Sequence, residues 1–349
     1  MRYTALVVAA ATATSFALLA TPVTSQASPT VNRSDSVVTA SRSTTVRFAT
    51  FNVRTARADI GTSRHWLRRA RAVAREIQSR SPGIVALQEL GPGRADGKKA
   101  KIKNSLRQTD SLRRELRAVG AGRYHLVRTT AYVKPHSKHG TQGARILYDT
   151  NKYRLISRCP ETTRKKNYNK ACSIDLPRLG GDSKSTTRSA AYAEFENRRS
   201  GVNFFVISAH LDARHSGRLS KEKVYDHLRA AQVRRVYKKV ASRAGHKPIL
   251  FGGDINSWKT KAGSNAPFNA LVHRGFRDST GASSRTDAQY PTVNHFKKRL
   301  KANARGRQVA LDVVMAKNAK GFQTYENVMK TVDPRRPSDH NMVVASVVL

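Results

Sequence analysis

Short apolar runs of strand length recur through this chain, and several of them stop on a single polar residue. Arg47-Phe48-Ala49-Thr50-Phe51 ends on Asn52, Ile84-Val85-Ala86-Leu87-Gln88 on Glu89, and Phe205-Val206-Ile207-Ser208-Ala209 on His210. A strand end is rigid yet emerges at the rim of a sheet, so side chains far apart in sequence can converge there in one cleft. Further strands are predicted over Tyr124–Thr129, Ala144–Tyr148, Ala190–Glu196, Pro248–Gly253, Val309–Ala316 and Met342–Leu349.

Helical stretches alternate with these runs. Between Arg64 and Arg80, the residues Trp66, Ala70, Val73, Ala74 and Ile77 fall on one helical face, with Arg68, Arg69, Arg71 and Arg75 largely off it. Pro82-Gly83 ends that helix. A second helix is predicted from Asn104 to Val119, and Ser220 reads as the cap of a long one reaching about Ala244. No internal repeat appears and no linker divides the body, so residues 46–349 are expected to form one α/β domain.

The N-terminus reads differently. Arg2, an apolar run from Ala5 to Ala20 and then Ser25-Gln26-Ala27 form a secretory signal pattern over residues 1–27. The apolar run is shorter than the about 20 residues a membrane-spanning helix needs. Residues 28–45, rich in Ser, Thr and Val, are expected as a flexible linker. The expected product is secreted and extracellular after cleavage near Ala27, with no membrane insertion. Export makes a disulfide the expected state of Cys159 and Cys172, with a contribution of about 3 kcal/mol.

Three more polar stations follow in order: Asp254 and Asn256 in Phe251-Gly252-Gly253-Asp254-Ile255-Asn256, Asp312 in Ala310-Leu311-Asp312-Val313-Val314, and Ser338-Asp339-His340 before the last strand. Asp312 inside an apolar strand is costly unless it is paired with a group such as His340. Joined to the Asn, Glu and His stations upstream, this set resembles the endonuclease/exonuclease/phosphatase superfamily, from about Val46 to Leu349. The resemblance implies a deoxyribonuclease I-like four-layer α/β sandwich, two packed mixed β-sheets flanked by helices. It also implies metal-dependent phosphoester hydrolysis.

Cleaving a phosphodiester requires an aligned water, an ion to offset charge on the phosphoryl oxygens, and donors aimed at the transition state. By resemblance, Glu89 would hold Mg²⁺ with Asn52 and Asp339, and Mn²⁺ would be an alternative ion; a structural role for Ca²⁺ is left open. Asp254 would orient or deprotonate the water and Asn256 would donate to the phosphoryl group. Asp312 would fix the tautomer of His340, which would donate to a non-bridging oxygen. His210 would contact phosphate or help the leaving group, and Arg145 is a candidate phosphate contact that reads equally well as a solvated residue. One departure from the family pattern is Ala310, where many members carry a basic residue; Arg307 is the nearest substitute.

Charge narrows the substrate. With 65 Lys and Arg against 23 Asp and Glu, the formal net charge is +42. Two basic runs stand out, one between Gly91 and Gly122 and one comprising Lys297, Lys298, Arg299, Lys301, Arg305 and Arg307. Such runs favour a nucleic-acid backbone, so a nuclease is the first expectation and no protein partner is implied. A sphingomyelinase-like phospholipid phosphodiesterase or an inositol-phosphate phosphatase is the alternative. A membrane-acting enzyme would want an exposed aromatic hairpin, whereas Trp66 lies on a predicted helix and Trp258 follows the Asp254 motif.

Overall fold

In the computed structural model, which describes residues 43–98, 106–127, 143–159, 172–183, 188–259, 265–302 and 310–349, two sheets lie face to face. In chain order the elements are β1 (Thr45–Asn52), α1 (Trp66–Arg80), β2 (Ile84–Gln88), α2 (Gln108–Ala118), β3 (Tyr124–Leu126), β4 (Arg145–Asp149), β5 (Tyr153–Leu155), β6 (Ser173–Asp175), β7 (Ser189–Asn197) and β8 (Asn203–His210). They continue with α3 (Leu219–Ala244), β9 (Ile249–Asp254), α4 (Ala266–Val272), β10 (Arg277–Asp278), a 3₁₀ turn (Ser279–Gly281), β11 (Ser284–Thr286), β12 (Asp312–Lys317), β13 (Gly321–Asn327) and β14 (Val343–Val348).

The first sheet runs β11-β13-β14-β1-β2-β4-β3 and the second β10-β12-β9-β8-β7-β5, with β6 also paired to β7. Both are mixed: β1 is parallel to β2 and antiparallel to β14, and β9 is parallel to β8 and antiparallel to β12. Side chains alternate across each strand, which produces three apolar layers. Phe48, Ala86 and Val343 meet Val206, Leu250 and Val314 between the sheets. Phe51, Val85 and Leu87 pack outward against Trp66, Val73 and Ile77 of α1 and Leu112 of α2. Ile207 and Phe251 pack outward against Val233 and Val236 of α3 and Leu271 of α4. This is the four-layer α/β sandwich that the resemblance implies.

The sequence outlines most of these elements, and β8 contains the run Phe205–Ala209 and ends on His210 as expected. Among the described residues, β5, β6, β10, β11, β13 and α4 were not foreseen. The first four are two or three residues long, and β13 (Gly-Phe-Gln-Thr-Tyr-Glu-Asn) has only partial burial, so none presents a continuous apolar run. Ser220 is not the cap of α3: the helix opens one residue earlier, Arg218 stands at the cap without a side-chain bond, and Glu222 instead accepts the Ser216 N–H at 2.7 Å. Arg69 also departs from expectation. It is only 4% exposed, because its guanidinium reaches backbone carbonyls beyond the helix.

Thr45, expected at the end of the linker, opens β1 opposite Val348. Cys159 and Cys172 are bridged, with a Cα–Cα distance of 5.5 Å. The predicted signal over residues 1–27, nearly all of the linker, and Arg305 and Arg307 lie outside the described residues. No helix among the described residues is long and apolar enough to cross a membrane.

The sheets approach closely at Gly252 on β9. A Cβ there would lie 2.6 Å from Ala86 Cβ and 2.9 Å from Phe48 Cζ, so only hydrogen fits. Gly252→Val is therefore expected to lower the unfolding free energy in urea by about 1–3 kcal/mol or more, whereas Gly217→Ala, where a Cβ meets nothing within 4 Å, leaves the midpoint essentially unchanged.

Candidate active site

The register of β9 sets the centre of the site. Asp254, its last residue, stands opposite His210 on parallel β8 and opposite Asp312 on antiparallel β12, so three functional side chains share one line across the second sheet. On the first sheet, Asn52 and Gln88 end β1 and β2 side by side, and Glu89 turns out of the strand with φ of 58°. Asn52 Nδ2 donates to Glu89 Oε1 at 3.1 Å and to Asp254 Oδ2 at 3.0 Å, joining carboxylates from the two sheets. Its Oδ1 accepts the Arg54 N–H at 3.0 Å, and Thr55 N–H donates to Glu89 Oε2 at 2.9 Å. Below this contact, Ser208 Oγ donates to Leu87 O at 3.0 Å, a second polar tie between the sheets.

Asp254 is 1% exposed and accepts the Asn256 N–H at 3.0 Å, while Asn256, at φ of 47°, donates Nδ2–H to Leu211 O at 3.1 Å. His340 lies against Val293 in a single bridge, and its Nδ1 is 2.9 Å from Asp312 Oδ2. With Asp312 ionised, Nδ1 carries the proton toward it, which aims Nε2 at the cleft, 4.0 Å from Asp254 Oδ2. His210 Nε2 lies 3.5 Å from that same oxygen, and His210 Nδ1 has no partner among the described residues. All eight expected catalytic and metal positions are accounted for as follows: Asn52, Glu89, His210, Asp254, Asp312 and His340 converge, Asn256 is the next turn of chain, and Asp339 sits one residue before His340.

Burial dominates the ionisation of this group. It pushes Asp254 up to about 7, reinforced by the Asp312 charge and opposed by His340, Asn52 and the Asn256 N–H. It would lower His340, but the charge and hydrogen bond of Asp312, with Asp254 and Asp339, outweigh it and raise that imidazole to about 10. His210 goes the other way: burial, then the positive charges of Arg188 and His340, hold it well below the ordinary histidine range, so it is neutral.

Arginines that the sequence did not single out frame the site. Arg188, just ahead of β7, has a buried Nη1 without a partner among the described residues. Burial lowers its pKa while Asp212, Asp254 and Glu89 raise it, which places its charge beside the carboxylates. Arg54 pairs with Asp339 and with Asp59. Arg69 donates to Val53 O at 3.0 Å, Pro337 O at 2.6 Å and Arg54 O at 3.2 Å, and also to Arg64 O. It thereby clamps the loop after β1 to the loop that carries Asp339 and His340. Nothing in the sequence separates these three from the other basic residues, because their partners are carbonyls and carboxylates supplied by the fold. Arg145 stands opposite Leu87 on β4 and is 1% exposed, so it faces protein and is not a solvated residue. Trp258 is 36% exposed near Asn256.

Asp254, Asp312 and His340 offer ligand atoms that all lie within 4.8 Å of one another, and Asp312 Oδ1 is buried without a partner among the described residues. Glu89 is linked to this group through the Asn52 amide, and Asp339 is adjoining. Such an oxygen-rich donor set suits a hard divalent cation. Without a metal, Asp254 is a carboxyl whose folded pKa is raised. Its contribution to stability is full below about pH 4 and is lost as pH rises through about 7. In chelator, wild-type Tm is expected to fall between pH 4 and 6.5 more steeply than that of Asp254→Asn; equal slopes would refute the assignment.

The endonuclease/exonuclease/phosphatase family model matches residues 49–340, which takes in every station from Asn52 to His340. An endonuclease/exonuclease/phosphatase family protein of Bacteroides thetaiotaomicron superposes with a TM-score of 0.64 at 19% identity, covering 88% of this chain and 99% of its own. A mannosyl-6-phosphatase of the same organism gives 0.62 at 18%, covering 87% and 100%. The human Nocturnin catalytic domain gives 0.54 at 17%, covering 87% and 93%. No curated protein sequence matches the chain significantly. At these identities the superpositions speak for the fold, and the family match speaks for membership: the chain belongs to the endonuclease/exonuclease/phosphatase family, whose members are phosphoester hydrolases.

Proposed function

We propose that this chain is a secreted, divalent-metal-dependent nuclease that hydrolyses phosphodiester bonds in nucleic acid. The observation that carries the reading is the Asn52 amide holding Glu89 and Asp254 together beside the Asp312–His340 pair. That arrangement supplies carboxylate oxygens for a cation, an acceptor for a water proton and a donor for a phosphoryl oxygen in one cleft. The net charge of +42 favours a polyanionic substrate, and the signal-like residues 1–27 with the Cys159–Cys172 bridge favour export.

Glu89, with Asn52 and Asp339 beside it, is the proposed holder of Mg²⁺, which when bound offsets charge on the phosphoryl oxygens. Asp254, held by the Asn52 amide and the Asn256 N–H, accepts a proton from the attacking water. The Asp312 carboxylate orients the His340 ring and keeps it protonated on both nitrogens, so Nε2–H donates to a non-bridging phosphate oxygen as negative charge grows there. Arg188 adds a fixed positive charge from the β7 side. His210, neutral and rigid, lies within reach of the same phosphate. Asn256 holds Asp254 through its backbone N–H.

Plasmid DNA, RNA, sphingomyelin and inositol phosphates, each incubated with Mg²⁺ or with a chelator, form the direct test. Polynucleotide cleavage that stops in chelator is expected. Asp254→Ala and His340→Ala are each expected to lower kcat by about 10²-fold or more with the circular dichroism spectrum retained. Hydrolysis of lipid or inositol phosphate with polynucleotide left intact would overturn the substrate assignment.

A further inference from the structure

The two basic runs have different fates. In the first, Arg94 is held by Asp96, Arg113 lies 4.0 Å from Asp110 and Arg114 lies 3.1 Å from Glu115, so part of its charge is met within the chain. In the second, Lys297, Lys298, Arg299 and Lys301 are exposed, and none makes an ion pair with a described residue. No acidic residue occurs between Asp287 and Asp312.

The backbone beneath those cations is pinned directly to the catalytic loop. Asp339 O accepts both Asn294 N–H at 2.7 Å and His295 N–H at 3.1 Å, one residue from His340. Asn294 is 1% exposed; its side chain donates to Asn341 Oδ1 at 2.9 Å and accepts the Phe296 N–H at 2.7 Å. Arg336 donates to Lys297 O at 3.0 Å and to Lys298 O at 3.3 Å. His295 and Phe296 both take left-handed backbone, at φ of 51° and 60°, a conformation that costs of order 1 kcal/mol or more at each non-glycine residue and persists only where the surroundings impose it. The Phe296 ring is surrounded by the guanidinium groups of Arg54, Arg64 and Arg69, 5.2 to 5.7 Å from its centre, which leaves it unsuited to entering a bilayer.

A strained, tightly fastened segment thus presents unneutralised cations at the lip of the active site. Five residues extend at most about 14 Å from the first Cα to the last, the reach of about three successive phosphates on one strand of a duplex. A sugar phosphate or a single nucleotide offers one such group and would leave most of the cations unused. We propose that His295–Lys301 is a phosphate-tracking arm that makes a polynucleotide, rather than a small phosphate ester, the preferred substrate; the proposal rests on the phosphodiesterase reading above. Phosphates flanking the scissile bond lie along the arm, and the Asp339 carbonyl ties their position to that of His340.

The test compares the full chain with its Lys297→Ala/Lys298→Ala/Arg299→Ala variant, with Mg²⁺, on a duplex oligonucleotide and on bis(p-nitrophenyl) phosphate. The variant is expected to lose at least tenfold more kcat/KM on the oligonucleotide than on the small diester. The slope of log affinity against log salt for the oligonucleotide, read by fluorescence anisotropy, is expected to shrink by about 3. Equal losses on both substrates, an unchanged slope, or loss of binding to anionic phosphatidylserine vesicles with oligonucleotide binding intact would each overturn the arm. A wild-type chain that cuts no polynucleotide would overturn the nuclease reading instead, and the anisotropy slope would still decide the arm.

Discussion

Two carboxylates from different sheets, Glu89 and Asp254, share the amide of a single fully buried asparagine, and the remainder of the site is arranged around that contact. Bringing two acids together with little water between them is unfavourable. Asn52 offsets part of this with donors and no charge, and Arg188, Arg54 and Arg69 add positive potential from outside. The two sheets hold the acids in place because Asp254 and Asn52 are the last residues of central strands, with paired neighbours on both sides. An arrangement fixed by ladders has little left to reorganise when charge moves during a reaction.

How far this could be read beforehand follows from what each feature depends on. Strand ends were legible because a continuous apolar run stopping on Asn52, Glu89 or His210 is a local pattern. Asp312 was legible by cost: a carboxylate in an apolar strand demands a partner, and His340 is that partner. Short edge strands such as β5 and β10 were not, since they bury too few side chains to leave a period. Ser220 misled because serine is a good cap by propensity, while the helix opens at Leu219, one residue earlier, without any side-chain cap. Arg69 misled for the opposite reason. Helical spacing set it off the apolar face, and only the folded loops reveal the carbonyls that draw it inward.

Membership in a family of phosphoester hydrolases leaves the substrate to features outside the shared centre. Here those features are electrostatic. A chain carrying this much positive charge gains from any polyanion, yet the gain is specific only where the cations are held in register with the reacting bond. The described part of the run between Gly91 and Gly122 has acids of its own to meet, and the run after Phe296 does not. One run is therefore partly paired within the chain and the other reaches outward.

The Arg69 clamp has a further implication. All of the acceptors that Arg69 reaches are neutral carbonyl oxygens, so dissolved ions have no paired charge in those bonds to compete for. The Arg69 tie between the loop after β1 and the loop that carries His340 is accordingly little screened by salt, unlike the Arg54–Asp339 pair beside it, whereas capture of the proposed polyanion is governed by it.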